Sequence, residues 1–173
     1  KILSGNCYIS DCHNTMLYDD HWIKWPLAKE LLRRSYITLV HNDDVREHAD
    51  RLRIESRILR DPLPVMAISD KIGEIAGASL KETEYVIIPC SMAADEPVQE
   101  LFDAARKVSD VLFVVTWFSE RLPADLRTQA PKNIHFTGFL PEAEFNTLYA
   151  NANAALVLST REGTQPSGAA EAI

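Results

Sequence analysis

Apolar and polar positions follow two rhythms along this chain. Tyr36–Val40, Tyr85–Ile88, Val111–Thr116 and Ile134–Phe136 are short apolar runs rich in β-branched and aromatic residues, the pattern of buried strands. Asn6–Ser10, Ser56–Leu59 and Ala154–Leu158 are shorter candidates of the same kind. Between them, apolar residues recur at helical spacing: Leu27, Leu31 and Leu32 after Pro26, then Val98, Leu101, Phe102, Ala105 and Val108 after Pro97, then Phe145, Leu148 and Tyr149 after Pro141. Proline suits a first helical position because the missing N–H has no intrahelical partner there and φ is already helical. Pro123 opens one further short helix, and Asn42 is placed to cap another whose positive end Asp43 and Asp44 complement. Ser167–Ile173 reads as a helix start that stops without a cap, and Lys1 is not a start methionine. A piece of a longer protein is expected.

Strands alternating with helices of about ten residues predict βαβ units and parallel sheets. The expected fold is α/β with two Rossmann-like parallel-sheet lobes, the N-terminal one partial. Residues 1–63 form the first lobe, ended by Asp61-Pro62-Leu63-Pro64, whose prolines exclude helix. Residues 64–83 have no clear period and read as a linker, and residues 84–173 form the second lobe.

Composition narrows the partners. Eighteen Lys and Arg against 25 Asp and Glu give a net charge of −7, with no basic stretch to offset it, so nucleic acid is a poor partner. No apolar run is long enough to span a bilayer. Cys7, Cys12 and Cys90 are odd in number and lack metal-ligand spacing, which predicts a reducing cytoplasm. Asp19-Asp20 and Asp43-Asp44 have no partnering histidine and read as solvated or helix-start acids, so no metal is expected.

In open parallel sheets, ligands bind outside the carboxyl ends of the strands. The chemically suggestive sequences all fall there: Asp11-Cys12-His13-Asn14, His41-Asn42, Cys90-Ser91, Thr137-Gly138-Phe139 and Ser159–Gly168. The last leads from a strand through small residues into a helix, where free N–H groups and the helix dipole suit a phosphate. Glu171, expected on the first turn, would accept hydrogen bonds from a ribose diol. A plain loop in which Glu171 only complements the dipole is the competing reading. His13 and His41 are open in the same way. Each either faces a ligand or sits beside an Asn that caps the next helix.

Residues 133–173, from Asn133-Ile134-His135-Phe136-Thr137-Gly138 through the Leu148-Tyr149 pair to the loop flanked by Glu162 and Glu171, resemble the donor-binding half of GT-B glycosyltransferases, family 4 above all. The resemblance implies a nucleotide-diphosphate sugar donor, a saccharide or lipid-linked acceptor, no cofactor and no metal. It implies Glu171 on the ribose and Glu162 near the sugar. The diphosphate falls to Arg161, Ser91 and the loop of Gly163, Thr164, Ser167 and Gly168, and the base to the backbone of Gly138, Phe139 and Leu140. The two glutamates are nine positions apart, where the family usually has eight. Pro89–Glu96 has no cation where the family carries an Arg and a Lys, so amides, dipole and Arg161 must hold the phosphates.

In the first lobe the resemblance brings His13 to the donor sugar. An imidazole there would act as base on an acceptor hydroxyl, with Asp11 two residues away on the same strand face to orient it. Such a base favours inversion, whereas the family 4 resemblance favours retention. The expected activity is sugar transfer in polysaccharide or glycoconjugate synthesis. A nucleotide-sugar epimerase of the same architecture and a non-catalytic binding module are the alternatives. The expected setting is the cytoplasm or the inner face of its membrane.

Overall fold

The computed structural model describes residues 7–12, 15–18, 22–68, 74–75, 78–79, 82–161 and 166–172. The chain divides between Pro62 and Leu63 into two compact units; Thr160 and Pro166 group with the second and Arg161 with the first. The architecture is α/β, with parallel sheets of three and four strands. Among the described residues no helix is long and apolar enough to cross a membrane.

The first unit orders its strands β1 (Ile9–Asp11), β2 (Ile37–Val40) and β3 (Ser56–Ile58), all parallel, with Ile9 opposite Ile37 and Leu39 opposite Arg57. Helix α1 (Pro26–Arg33) connects the first two strands and α2 (Asp43–Arg51) the second pair. Their inward residues Leu32, Val45 and Ala49 join Cys12, Leu17, Val40 and Ile54 in one core. The cap expected of Asn42 is made: its Oδ1 accepts from the Val45 N–H at 2.8 Å. At the other end of α2, the Arg53 N–H donates to the Asp50 carbonyl and the Ile54 N–H to that of Ala49, the paired bonds of a Schellman turn. That turn holds Arg53 at φ 57°, a left-handed conformation that glycine adopts without penalty.

The second unit orders its strands β8 (Ile134–Phe136), β7 (Leu112–Val115), β6 (Tyr85–Ile88) and β9 (Ala154–Ala155), all parallel. In its own numbering the order is 3-2-1-4, the doubly wound arrangement. Helices α3 (Val98–Lys107) and α4 (Ala124–Gln129) follow the first two strands, and Leu101, Phe102, Ala105 and Leu126 pack with Ile88, Phe113, Val115 and Ile134. Helix α5 (Glu142–Ala150) crosses to the other face, where Leu148 and Tyr149 pack with Tyr85, Ile87 and Val114. With cover on both faces, β6 and β7 read as unbroken apolar runs rather than alternating ones.

Two stretches differ from expectation. Within 64–83, Met66 packs into the α5 core and the Ala67 carbonyl accepts from Asn146 Nδ2 at 3.1 Å, while β4 (Glu74–Ile75) and β5 (Ala78–Ser79) pair antiparallel. The strand expected over Ala154–Leu158 pairs only at Ala154 and Ala155. Its partner β6 runs into Pro89, which has no N–H to extend the ladder.

Two substitutions test the ends of α2. Asn42→Ala removes the cap and is expected to cost about 0.5–2 kcal/mol. Arg53→Gly relieves the left-handed residue and is expected to stabilise by up to about 1 kcal/mol, the steric gain less the entropy glycine adds to the unfolded chain. Urea denaturation of both variants measures the two signs.

Candidate functional site

The crossing of α5 from one face to the other creates a switch point between β6 and β9, the place where a doubly wound sheet takes its ligand. Two loops leave the carboxyl ends of these strands. Beyond β9, Ser159 Oγ donates to Asp95 Oδ2 at 3.0 Å, and the Thr160 N–H and Oγ1 donate to the Asp95 carbonyl at 2.8 and 3.0 Å. Beyond β6, the chain from Pro89 to Glu96 folds back on itself. The N–H groups of Ser91 and Ala93 both donate to the Glu96 carboxylate, Ala93 at 2.8 Å. Met92, between them, has φ 58°.

Helix α6 (Ser167–Glu171) starts at this edge, with Pro166 in the N-cap position. A Cβ on Gly168 would lie 2.6 Å from Pro89 Cγ and 3.3 Å from Val157 Cγ2. Only a residue without a side chain lets α6 approach the end of β6 this closely. Tyr149 fixes the approach, its hydroxyl donating to the Gly168 carbonyl at 2.6 Å. Gly168 and Ser91, both expected at the donor site, therefore sit beside the switch point.

Glu171 lies elsewhere. The sequence suggests a first-turn position, but no acidic residue occupies the first turn of α6, and Glu171 is the helix's last residue. The helix runs back along the sheet and leaves Glu171 beside the start of β9. There it lines a recess of about 380 Å³ with Met66, Tyr149, Asn153 and Ala155. Burial pushes its carboxyl above the usual range. Burial first, and then the Glu171 charge, push the Tyr149 hydroxyl to about 12.

The third group sits at the end of β8. Gly138 adopts φ +73°, and the Phe118 ring lies 3.4 Å from where its Cβ would be. Its N–H donates to the Trp117 carbonyl at 3.0 Å. Leu140 turns inward onto the α5 core, whereas Phe139 is 70 % exposed. Strands β8 and β6 are separated by β7, which sets this group about 10 Å from β6 and about 12 Å from the switch point beyond it.

In the first unit Asp11 ends β1 and is exposed. Its neighbour Cys12 is 1 % exposed, and burial, aided by the Asp11 charge, pushes that thiol from 9.0 to about 11. His41 is buried at the end of β2. Arg161 is exposed and groups with the first unit. His13, Glu162, Gly163 and Thr164 lie outside the described residues, as does the side chain of Ser167. Among the described residues no cluster of His, Cys, Asp and Glu has the makings of a metal site.

Sequence reasoning missed three participants: Glu96, Tyr149 as the anchor of α6, and Asn153. Asn153 Oδ1 accepts from the Tyr85 N–H at 3.0 Å, tying β9 to the first residue of β6. Tyr149 and Asn153 act through contacts that only folding brings near, whereas Glu96 closes its own loop onto Ser91 and Ala93 a few residues away.

The fold and its switch point define a doubly wound α/β unit joined in sequence to a second parallel-sheet unit. The chain matches no family model, and no curated protein matches it.

The contact at Gly168 gives a direct test. Pro89 is a rigid ring that cannot swing aside, so Gly168→Ala is expected to cost about 1–3 kcal/mol in thermal or urea denaturation, the range for overpacking. A second test uses pH. Burial holds the Cys90 thiol and the Tyr85 hydroxyl at about 12. The folded chain thus keeps protons that the unfolded chain releases above its ordinary values of about 8.5 for Cys and 10 for Tyr. Stability is expected to be full below about pH 8.5 and to fall as pH rises toward 11 or 12. At pH 8 a thiol reagent should label the exposed Cys7 quickly, the half-buried Cys90 slowly and the buried Cys12 only after denaturation.

Proposed function

We propose that the chain is part of a two-lobed glycosyltransferase of the GT-B type that moves a sugar from a nucleotide-diphosphate donor to an acceptor hydroxyl without a metal. One observation carries the reading: the 3-2-1-4 sheet of the second unit, with α6 held against the end of β6 through Gly168. Close helix-to-strand approach through a glycine beside the switch point is how doubly wound folds admit a phosphate to backbone amides. The likeness of residues 133–173 to donor-binding halves supplies the rest.

On this reading the amides of Gly163, Thr164, Ser167 and Gly168 take the diphosphate, with Arg161 as the added cation. Preorganised donors of this kind stabilise the charge that develops on the leaving diphosphate. Gly138, Phe139 and Leu140 border the base; the family likeness puts Glu171 on the ribose, although the fold sets it in the recess beside the start of β9 rather than at the switch point. Glu162 lies near the sugar, and His13, oriented by Asp11, takes the acceptor proton. The acceptor is a saccharide or a lipid-linked sugar, and the setting is cytoplasmic or at the inner membrane face. A non-catalytic binding module draws support from one specific observation, the occupation of the Ser91 and Ala93 amides by Glu96.

Calorimetric titration with uridine and guanosine diphosphates tests donor binding. Glu171→Ala is expected to weaken it by about 1.5–3 kcal/mol, the loss of a charge-assisted hydrogen bond. Unchanged binding would remove Glu171 from the site. In the full-length enzyme, His13→Ala is expected to lower turnover by about 10²–10⁴-fold with nucleotide binding intact. Nucleotide binding without transfer to any acceptor, in the full-length protein, selects the non-catalytic reading.

A further inference from the structure

The chain passes from α5 into β9 through residues with small side chains. Ala150, Ala152, Ala154 and Ala155 carry only methyl groups, and beside them opens the recess of about 380 Å³ that Met66, Tyr149 and Glu171 complete. All of these residues belong to the second unit. The volume falls within the range of small-molecule sites, roughly 300–1,000 Å³. One charged group faces it. Glu171 is half-buried at the last residue of α6, where a helix leaves carbonyl groups without intrahelical partners. No Lys or Arg stands among the described residues of the lining. Strand β9 ends its sheet, so its outer edge presents backbone groups that no neighbouring strand pairs.

We infer that this recess binds a small organic ammonium ion, its nitrogen on the Glu171 carboxylate and its apolar body against Met66 and the alanine methyl groups. Three features carry it. A carboxylate drawn into a hollow loses hydration, which a cation with N–H donors replaces. Burial already makes this carboxyl hold its proton more tightly than usual. The remainder of the lining is apolar or neutral, so it suits a short methylene chain and opposes no positive charge. An ammonium ion has three N–H donors, and the carboxylate, the end of α6 and the edge of β9 all offer acceptor oxygens. The second unit carries 12 acids against six bases over residues 84–173, a field that draws cations toward it. The recess lies at the start of β9, away from the switch point at the carboxyl ends of the strands. The inference is independent of the glycosyltransferase reading, and it gives Glu171 a partner other than a ribose.

Butylammonium is the probe and butanol its neutral counterpart, each titrated at pH 7 into the wild-type chain while the amide resonances of Ala154, Ala155 and Glu171 are followed. The amine is fully charged there, since alkylammonium groups release their proton only near about pH 10.4. Saturable shifts at these three amides are expected with butylammonium and none with butanol at the same concentration. Glu171→Gln keeps the shape and removes the charge, so it is expected to weaken butylammonium by about tenfold or more, the loss of a charge-assisted hydrogen bond. Ala154→Leu, at an exposed position of the lining, fills the recess and is expected to weaken binding by a similar factor. Should the leucine variant fail to fold, the glutamine variant carries the test alone. An equal response to butanol, shifts that never saturate, or unchanged affinity in Glu171→Gln overturns the inference. Uridine diphosphate titrated into the same Glu171→Gln variant separates the two readings. Loss of butylammonium with the wild-type nucleotide response supports the recess, whereas loss of the nucleotide with butylammonium unaffected overturns it and leaves Glu171 to the donor.

Discussion

The second unit depends on β6 being paired on both sides. Its register with β7 runs from Tyr85–Leu112 to Ile88–Val115, and its other edge takes β9 at Val86 and Ile87. Because side chains alternate along a strand, Tyr85 and Ile87 face α5 while Ile88 faces α3. One four-residue strand thus ties together both layers of helices, and both hydrophobic clusters of the unit meet on it. The connection after β8 leaves the edge of β8 unpaired and crosses back to the far side of β6, which puts α5 on the opposite face and makes the order doubly wound.

Polar side chains then settle the ends that the strands and helices leave open. Asn133 Nδ2 points at the carbonyls of Ala105, Val108 and Val111, closing the C-terminus of α3 from a residue at the start of β8. Asn153 answers the first N–H of β6, and Asn146, buried on α5, reaches Ala67. Glu96 does the same for the turn after β6 and is itself charged. Each serves a backbone group that would otherwise be buried without a partner or left to water. Loops at both edges of the sheet therefore have defined shapes.

The framework was legible in the chain. Tyr85–Ile88 and the run around Leu112–Val115 are apolar without alternation because both faces are covered, and that is visible residue by residue. Pro26 opens its helix at the first position, while Pro97, Pro123 and Pro141 stand just before theirs. Asn42 caps as its position between strand and acidic pair implied. The candidate site was legible only in part. Ser91 and Gly138 fall just past strand ends because strand ends can be read from periodicity, and Gly168 falls in the first turn of α6, whose start could be read in the same way. Glu171 departs from its expected place although α6 starts at Ser167 as expected: it is the fifth helical residue, past the first turn, and that offset carries its side chain toward the other end of the strand.

The linear order of residues determined which segments become the strands of the two parallel sheets and the helices between them, since propensity, apolar period and proline placement act within a few residues. Only the tertiary structure decided the 3-2-1-4 order, the shortening of β9 against Pro89, the packing of Met66 onto the α5 core and the anchoring of α6 by Tyr149. These are contacts between parts of the chain that share no local period, and their geometry exists once both partners are held by the same core.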